Sequence, residues 1–204
     1  MNERDIFINC PFSADYQEFL EAIVFAVARS GFTPRCAREN DDGGEVRFEK
    51  LCRIIAESRY GIHDISKTEP DPVSGLPRFN MPLELGLFLG AHRFGGKKHS
   101  RKKSLILDQE EHRYQSFISD IAGQDIHSHG RSVGRLIEQI STWLRDQAQD
   151  YNIPGGRAIP AEFDRFQADL PAIAASKRLE PSELTFKDLT NIAVEWIVAE
   201  NSGA

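Results

Sequence analysis

One carboxylate, Glu84, stands at the start of an otherwise apolar helical run, Arg78-Phe79-Asn80-Met81-Pro82-Leu83-Glu84-Leu85-Gly86-Leu87-Phe88-Leu89-Gly90. An acid at the mouth of a buried helix can face a ligand cleft from a rigid platform. Asn80 suits an N-cap, with Met81 and Pro82 in the first turn, where the missing amide hydrogen of proline costs little. Glu84 then falls within that turn. The positive end of the helix favours its ionised form, while Leu85, Leu87 and Phe88 would desolvate it and favour the neutral one. A carboxylate under both influences can act as a nucleophile or charge stabiliser. Alternatively, Glu84 only complements the helix dipole at the surface.

Other stretches offer polar or reactive groups at predicted strand ends. Asn9-Cys10-Pro11-Phe12 supplies an amide, a thiol and a ring on which a flat base could stack. Without a placed histidine partner, Cys10 reads as a buried apolar residue rather than a catalytic thiol. Asp64, after His63, can accept hydrogen bonds from sugar hydroxyls or cap the following turn, whereas His63 reads as structural. Asp41-Asp42-Gly43-Gly44-Glu45 is rich in carboxylates but lacks EF-hand spacing, so a mobile loop with a helix cap is expected. His127-Ser128-His129 is too sparse for a metal and reads as a surface loop. Gly86 and Gly90 each weaken a helix, and close helix-on-sheet packing is the expected compensation. No P-loop, dinucleotide fingerprint or nucleophile elbow is present.

The elements that must position these groups alternate between strand and helix. Strands are expected at 5–9, 33–38, 60–65 and 103–108, with a short edge strand near 125–126. Helices are expected at 14–30, with an apolar stripe of Phe19, Leu20, Ile23, Val24 and Val27, and at 45–58, from Asn80 to about Arg93, at 111–121 and at 132–149. Such alternation implies a mostly parallel α/β sheet of flavodoxin-like order, flanked by helices, with ligands beyond the carboxyl ends of the strands. Asn152-Ile153-Pro154-Gly155-Gly156 has the composition of a hinge, which places a boundary near Tyr151. The chain then divides into an α/β domain over 1–150 and a hinge with a helical appendage over 151–204. Within the latter, Thr185 and Asp188 suit a helix cap, and Phe186, Leu189, Ile192, Ala193, Trp196 and Ile197 share one helical face.

At 204 residues, with 40% hydrophobic and 27% charged residues, the chain is of globular composition. Its formal charge of −6 argues against a nucleic-acid binder, and the basic stretch Gly95 to Lys103 reads as a solvated loop. The three cysteines form no CxxC pair, which suggests a reducing, cytoplasmic setting and no zinc site. No signal-peptide pattern and no membrane-length apolar run is apparent.

From Asp5 to Ser141 the chain resembles the nucleoside 2-deoxyribosyltransferase family and related TIR-like proteins. The resemblance lies in Asp5-Ile6-Phe7-Ile8-Asn9-Cys10-Pro11-Phe12, in the strand end at Asp64, and in Asn80-Met81-Pro82-Leu83-Glu84-Leu85-Gly86. It implies cleavage or exchange of an N-glycosidic bond on a nucleoside, nucleotide or NAD, with no cofactor or metal required. Glu84 would attack the sugar or stabilise its positive charge, Asp64 and Asn80 would orient hydroxyls, and Phe12, with its neighbours Asn9, Cys10 and Pro11, would hold the base. Arg78 would meet a phosphate, and Met81 would line the substrate site. Asp41 and Asp42 fall where TIR-like proteins carry the loop after their second strand. The resemblance further implies a prokaryotic defence or signalling role. Its alternative is a non-catalytic module that binds a nucleotide signal, or a partner or second copy through the C-terminal helices.

Overall fold

The computed structural model describes residues 1–40, 42–71, 73, 75–155 and 157–203. Five strands, β1 (Asn2–Asn9), β2 (Thr33–Arg35), β3 (Ser58–Asp64), β4 (Lys103–Asp108) and β5 (Ile126–Ser128), form one sheet in the order β2-β1-β3-β4-β5. Every pairing is parallel. The architecture is therefore flavodoxin-like α/β, as the alternation of strands and helices implies. Parallel neighbours require crossovers, and the helices α1 (Gln17–Arg29), α2 (Arg47–Glu57), α3 (Asn80–Phe94) and α4 (Val133–Ala148) supply or flank them.

Alternation along β1 divides the core between the two faces of the sheet. Ile6 and Ile8 join α1, α4 and the C-terminal helices, whereas Phe7 joins Leu51, Ile54 and Ile55 of α2 and Phe88 of α3. Because β1 is covered on both sides, its inner half is a continuous apolar run.

The C-terminal segment, expected as an appendage, packs into the larger of these cores. Helices α5 (Ala158–Ser176) and α6 (Phe186–Gly203) contribute Phe163, Phe166, Leu170, Leu189, Ile192 and Trp196 to the cluster that contains α1. Phe25 of α1 stacks on Phe166 at 4.9 Å between ring centroids. Arg29 pairs with Glu162 at 2.5 Å, Glu21 accepts from Gln167 at 2.6 Å, and the Trp196 indole donates to Asp169 at 2.8 Å. Consequently α1 is buried from Leu20 to Val27 rather than along a single stripe.

Three expectations fail locally. The helix expected over 111–121 is replaced by two short 3-10 turns, Arg113–Ser116 and Ser119–Ile121. His112 enters the first of them in left-handed conformation, and Arg113 turns back onto Asp108 at 2.6 Å, Thr68 at 2.6 Å and the Ser66 carbonyl at 2.7 Å. That anchoring ties the loop after β3 to the end of β4 and breaks helical continuation. Gly86 and Gly90 are not sites of close packing, since a Cβ at either would meet nothing within 4 Å. Within the basic stretch, Lys102 is only 1% exposed. Its ammonium donates to the carbonyls of Ile55 and Ser58, both at 2.5 Å, and lies over the Phe88 ring; burial brings its pKa down to about 8.

Candidate functional site

Strand order reverses between β1 and β3, so the loops leaving these strands diverge and open a cleft beyond their carboxyl ends. A cavity of about 480 Å3 occupies it, lined in part by Ser13, Tyr16, Ser66, Lys67, Arg78 and His129. A second hollow of about 500 Å3 lies toward the β2 edge, between Phe12, Arg38, Arg47 and the turn that begins α6. Glu84 lines neither.

Beneath the first cavity, Asp64 is fully buried at the end of β3. Tyr16 donates to it at 2.5 Å, the Ser66 amide at 2.8 Å, and His129 Nε2 lies 3.1 Å away. The Arg131 amide donates to Nδ1 of His129 at 3.2 Å, so the proton of a neutral ring sits on Nε2, facing Asp64 and the Ser66 hydroxyl at 2.9 Å. In place of a direct sugar contact, Asp64 caps the turn through Ser66 and fixes Tyr16 and His129 in the cleft floor. Burial, and then the Asp64 charge, push the Tyr16 phenol well above its ordinary pKa, so it remains a donor. Tyr16 and His129 are functional candidates that sequence reasoning missed. His129 is 1% exposed, not part of a surface loop, and its separation from Asp64 in the chain left no local pattern to read.

Asn9 latches β1 to α3. Its side-chain amide donates to the Met81 carbonyl at 2.8 Å and lies 3.2 Å from Nδ1 of His63. His63 is completely buried between Phe7 and Phe88, and desolvation, aided by Lys102, holds its pKa down to about 3. It therefore stays neutral, in keeping with a structural role. Met81 is also a packing residue, seated with Ile65, Leu85, Ile106 and Tyr114.

This latch sets the start of α3, and the helix begins differently from expectation. Phe79 is the N-cap, no side chain caps the helix, and Asn80 is its exposed first residue. Glu84 accordingly lies beyond the first turn, which contains no acid. Half-buried there, it has its pKa raised to about 7 by desolvation, with Arg47 opposing the shift. The charge of Glu84 also acts on the thiols of Cys10 and Cys36, after larger contributions from burial and nearer groups.

Of the remaining sequence candidates, Phe12 and Asp42 line the second hollow and Arg78 lines the first cavity. Pro11 is buried, and Phe12 is half-buried with the Arg38 guanidinium 4.5 Å above its ring. Cys10 is buried, and desolvation followed by the Asp64 charge raises its thiol pKa well above the ordinary value, which opposes thiolate chemistry. Asp42 is exposed and accepts from the Gly44 amide at 2.9 Å, a loop-stabilising turn; Asp41 lies outside the described residues. Arg78 is exposed on the rim of the first cavity, 3.9 Å from Asp71. Thus Phe12 lines the hollow on the β2 side and Arg78 the cavity over Asp64, while Glu84 and Cys10 line neither.

Among the described residues, no group of three or more His, Cys, Asp or Glu could hold a metal ion, and no helix is long and apolar enough to cross a membrane. The cysteines Cys10, Cys36 and Cys52 are all free. Fold and cleft together define a flavodoxin-like α/β protein with ligand-sized concavities at the switch point and beside it. Comparison with family models, with curated proteins and with solved structures finds no match to this chain.

Proposed function

We propose that this protein breaks or transfers the N-glycosidic bond of a nucleotide, nucleoside or NAD, with Glu84 as nucleophile or charge stabiliser. The observation that carries the reading is the condition of the Glu84 carboxyl: half-buried near the strand ends, its pKa raised to about 7 by desolvation, with Arg47 as the opposing charge. Perturbed acids of this kind concentrate at reactive sites.

As the bond between base and sugar breaks, the electron pair leaves with the base and the sugar ring gains positive charge. An ionised Glu84 offsets that charge, or bonds to the anomeric carbon until water or a second base displaces it. The ring of Phe12 offers a stacking surface for the base. The Tyr16 hydroxyl gives its proton to Asp64 and keeps oxygen lone pairs that can accept from a sugar hydroxyl in the neighbouring cleft, the part first assigned to Asp64 and Asn80, while His129 shapes the floor beside it.

The test is incubation of the purified protein with NAD and a panel of nucleosides and nucleotides, with released base followed by chromatography. Glu84→Gln is expected to abolish product while retaining the fold. Product at the wild-type rate from that variant would sink the assignment. A second reading, binding of a nucleotide signal without turnover, is favoured by the position of Glu84 outside the lining of both concavities. Calorimetric binding with no base released would select it.

A further inference from the structure

We infer that the hollow between Phe12, Arg38, Arg47 and the first turn of α6 is a subsite for the phosphate groups of a nucleotide. Its walls come from four stretches of chain: Phe12 after β1, Gln17 and Leu20 of α1, residues running from the end of β2 into α2 that include Arg38 and Arg47, and Leu184 with Phe186 at the start of α6. At about 500 Å3 it is of the size small-molecule sites adopt.

Its charges are unevenly satisfied. Of the acids in the wall, Glu45 is held by Arg53 at 2.9 Å and Asp42 accepts the Gly44 amide at 2.9 Å. The Lys50 ammonium is taken by the Asn40 carbonyl at 2.5 Å. Among the described residues, the guanidinium groups of Arg38 and Arg47 have no hydrogen-bonded or ion-paired carboxylate, and Arg38 rests on the Phe12 ring at 4.5 Å. A guanidinium is built for bidentate phosphate recognition, and two facing one hollow form a clamp. A base stacking on Phe12 would take the face that Arg38 now covers and release its guanidinium to the phosphate.

The inference deepens the proposed function by naming a phosphorylated ligand, but its geometry rests on the hollow alone. Isothermal calorimetry of the full chain with ADP, adenosine and inorganic pyrophosphate tests it. ADP is expected to bind at least ~10-fold more tightly than adenosine, to be displaced by pyrophosphate, and to weaken as salt rises. Arg47→Ala and Arg38→Gln, both exposed positions, should each erase about tenfold of that preference. Equal affinity for ADP and adenosine, absence of ADP binding, or ADP affinity indifferent to both arginine variants would overturn the subsite. Arginine-dependent ADP binding with no base release from any nucleotide would retain the subsite and reject the glycosidic reaction. Base release insensitive to substrate phosphate and to Arg47 would do the reverse.

Discussion

The two sides of the sheet's carboxyl edge carry ionisable groups in opposite conditions. On the β4 side, Asp64 is wholly buried and met by Tyr16, Ser66 and His129, and Asp108 is met by Arg113 and the Gln109 amide. On the β2 side, Glu84 is desolvated with Arg47 as the opposing charge, and the exposed guanidiniums of Arg38 and Arg47 line a hollow, with no carboxylate within ion-pair distance of either among the described residues. A buried carboxylate met from several sides, as Asp64 is, holds a shape, whereas Glu84, desolvated with one opposing charge, is left to respond to a ligand. The β4 side therefore builds the cleft, and the β2 side is where chemistry is expected.

The sharpest way to break this contrast is to remove Asp64. Asp64→Ala strands the Tyr16 hydroxyl and the His129 ring in the interior, and should cost about 3–5 kcal/mol. Chemical denaturation would measure it, and a loss below ~1 kcal/mol would mean that the network is not structural.

Glu84 should respond with the opposite sign. Its folded pKa, about 7, lies above the ordinary 4.5. The unfolded chain therefore releases this proton first, and the stability associated with the neutral form is present below pH 4.5 and is lost as pH rises through 7. Glu84→Gln should thus stabilise the protein by about 1–3 kcal/mol at pH 8 and leave it nearly unchanged at pH 4.5. Denaturation curves at the two pH values check this; equal effects at both would refute the desolvation of Glu84.

Smaller effects sharpen the same comparison. Gly86→Ala meets no neighbour within 4 Å, so it should add about 0.5–1 kcal/mol. If it also lowers ligand affinity, the bare backbone there is part of the binding surface. Lys67 bonds Asp15 at 2.7 Å across the cleft mouth, and that bond draws the Asp15 pKa down to about 2. The contribution is present above pH 3.8 and fades as pH falls toward 2. Because Asp15 is 64% exposed, Lys67→Ala should change stability by less than ~1 kcal/mol at neutral pH, measured as a shift in Tm.

Sequence periodicity carried the fold well where burial is one-sided or complete. The apolar runs of β1, β3 and β4 and the apolar stripe of α1 were legible because strands and helices differ in period. The Thr185 and Asp188 cap was legible too: the Thr185 hydroxyl donates to Asp188 at 2.6 Å, and the Asp188 amide donates back at 3.1 Å. What local pattern could not convey was long-range pairing. The Arg113 anchor that breaks 111–121 reaches back to Thr68 and Ser66, and the Asn9 latch reaches forward to Met81. Likewise, nothing in the hinge-like composition near Pro154 revealed that Phe163, Phe166 and Trp196 complete the core around α1. At the site, the odd chemistry of Glu84 could be read from its apolar neighbours. Its place beyond the first turn of α3 could not, because that depends on where Asn9 fixes the start of the helix.

The central claim is that Glu84 must ionise to act. Its most direct test is the pH dependence of base release from NAD and from nucleotides by the wild-type protein, with Glu84→Gln alongside. The rate should climb about tenfold per pH unit below 7 and level off above it, while the Glu84→Gln protein, folded and ligand-competent, yields no product. A rate that is flat from pH 5 to 8, or product formed by Glu84→Gln at the wild-type rate, would contradict it.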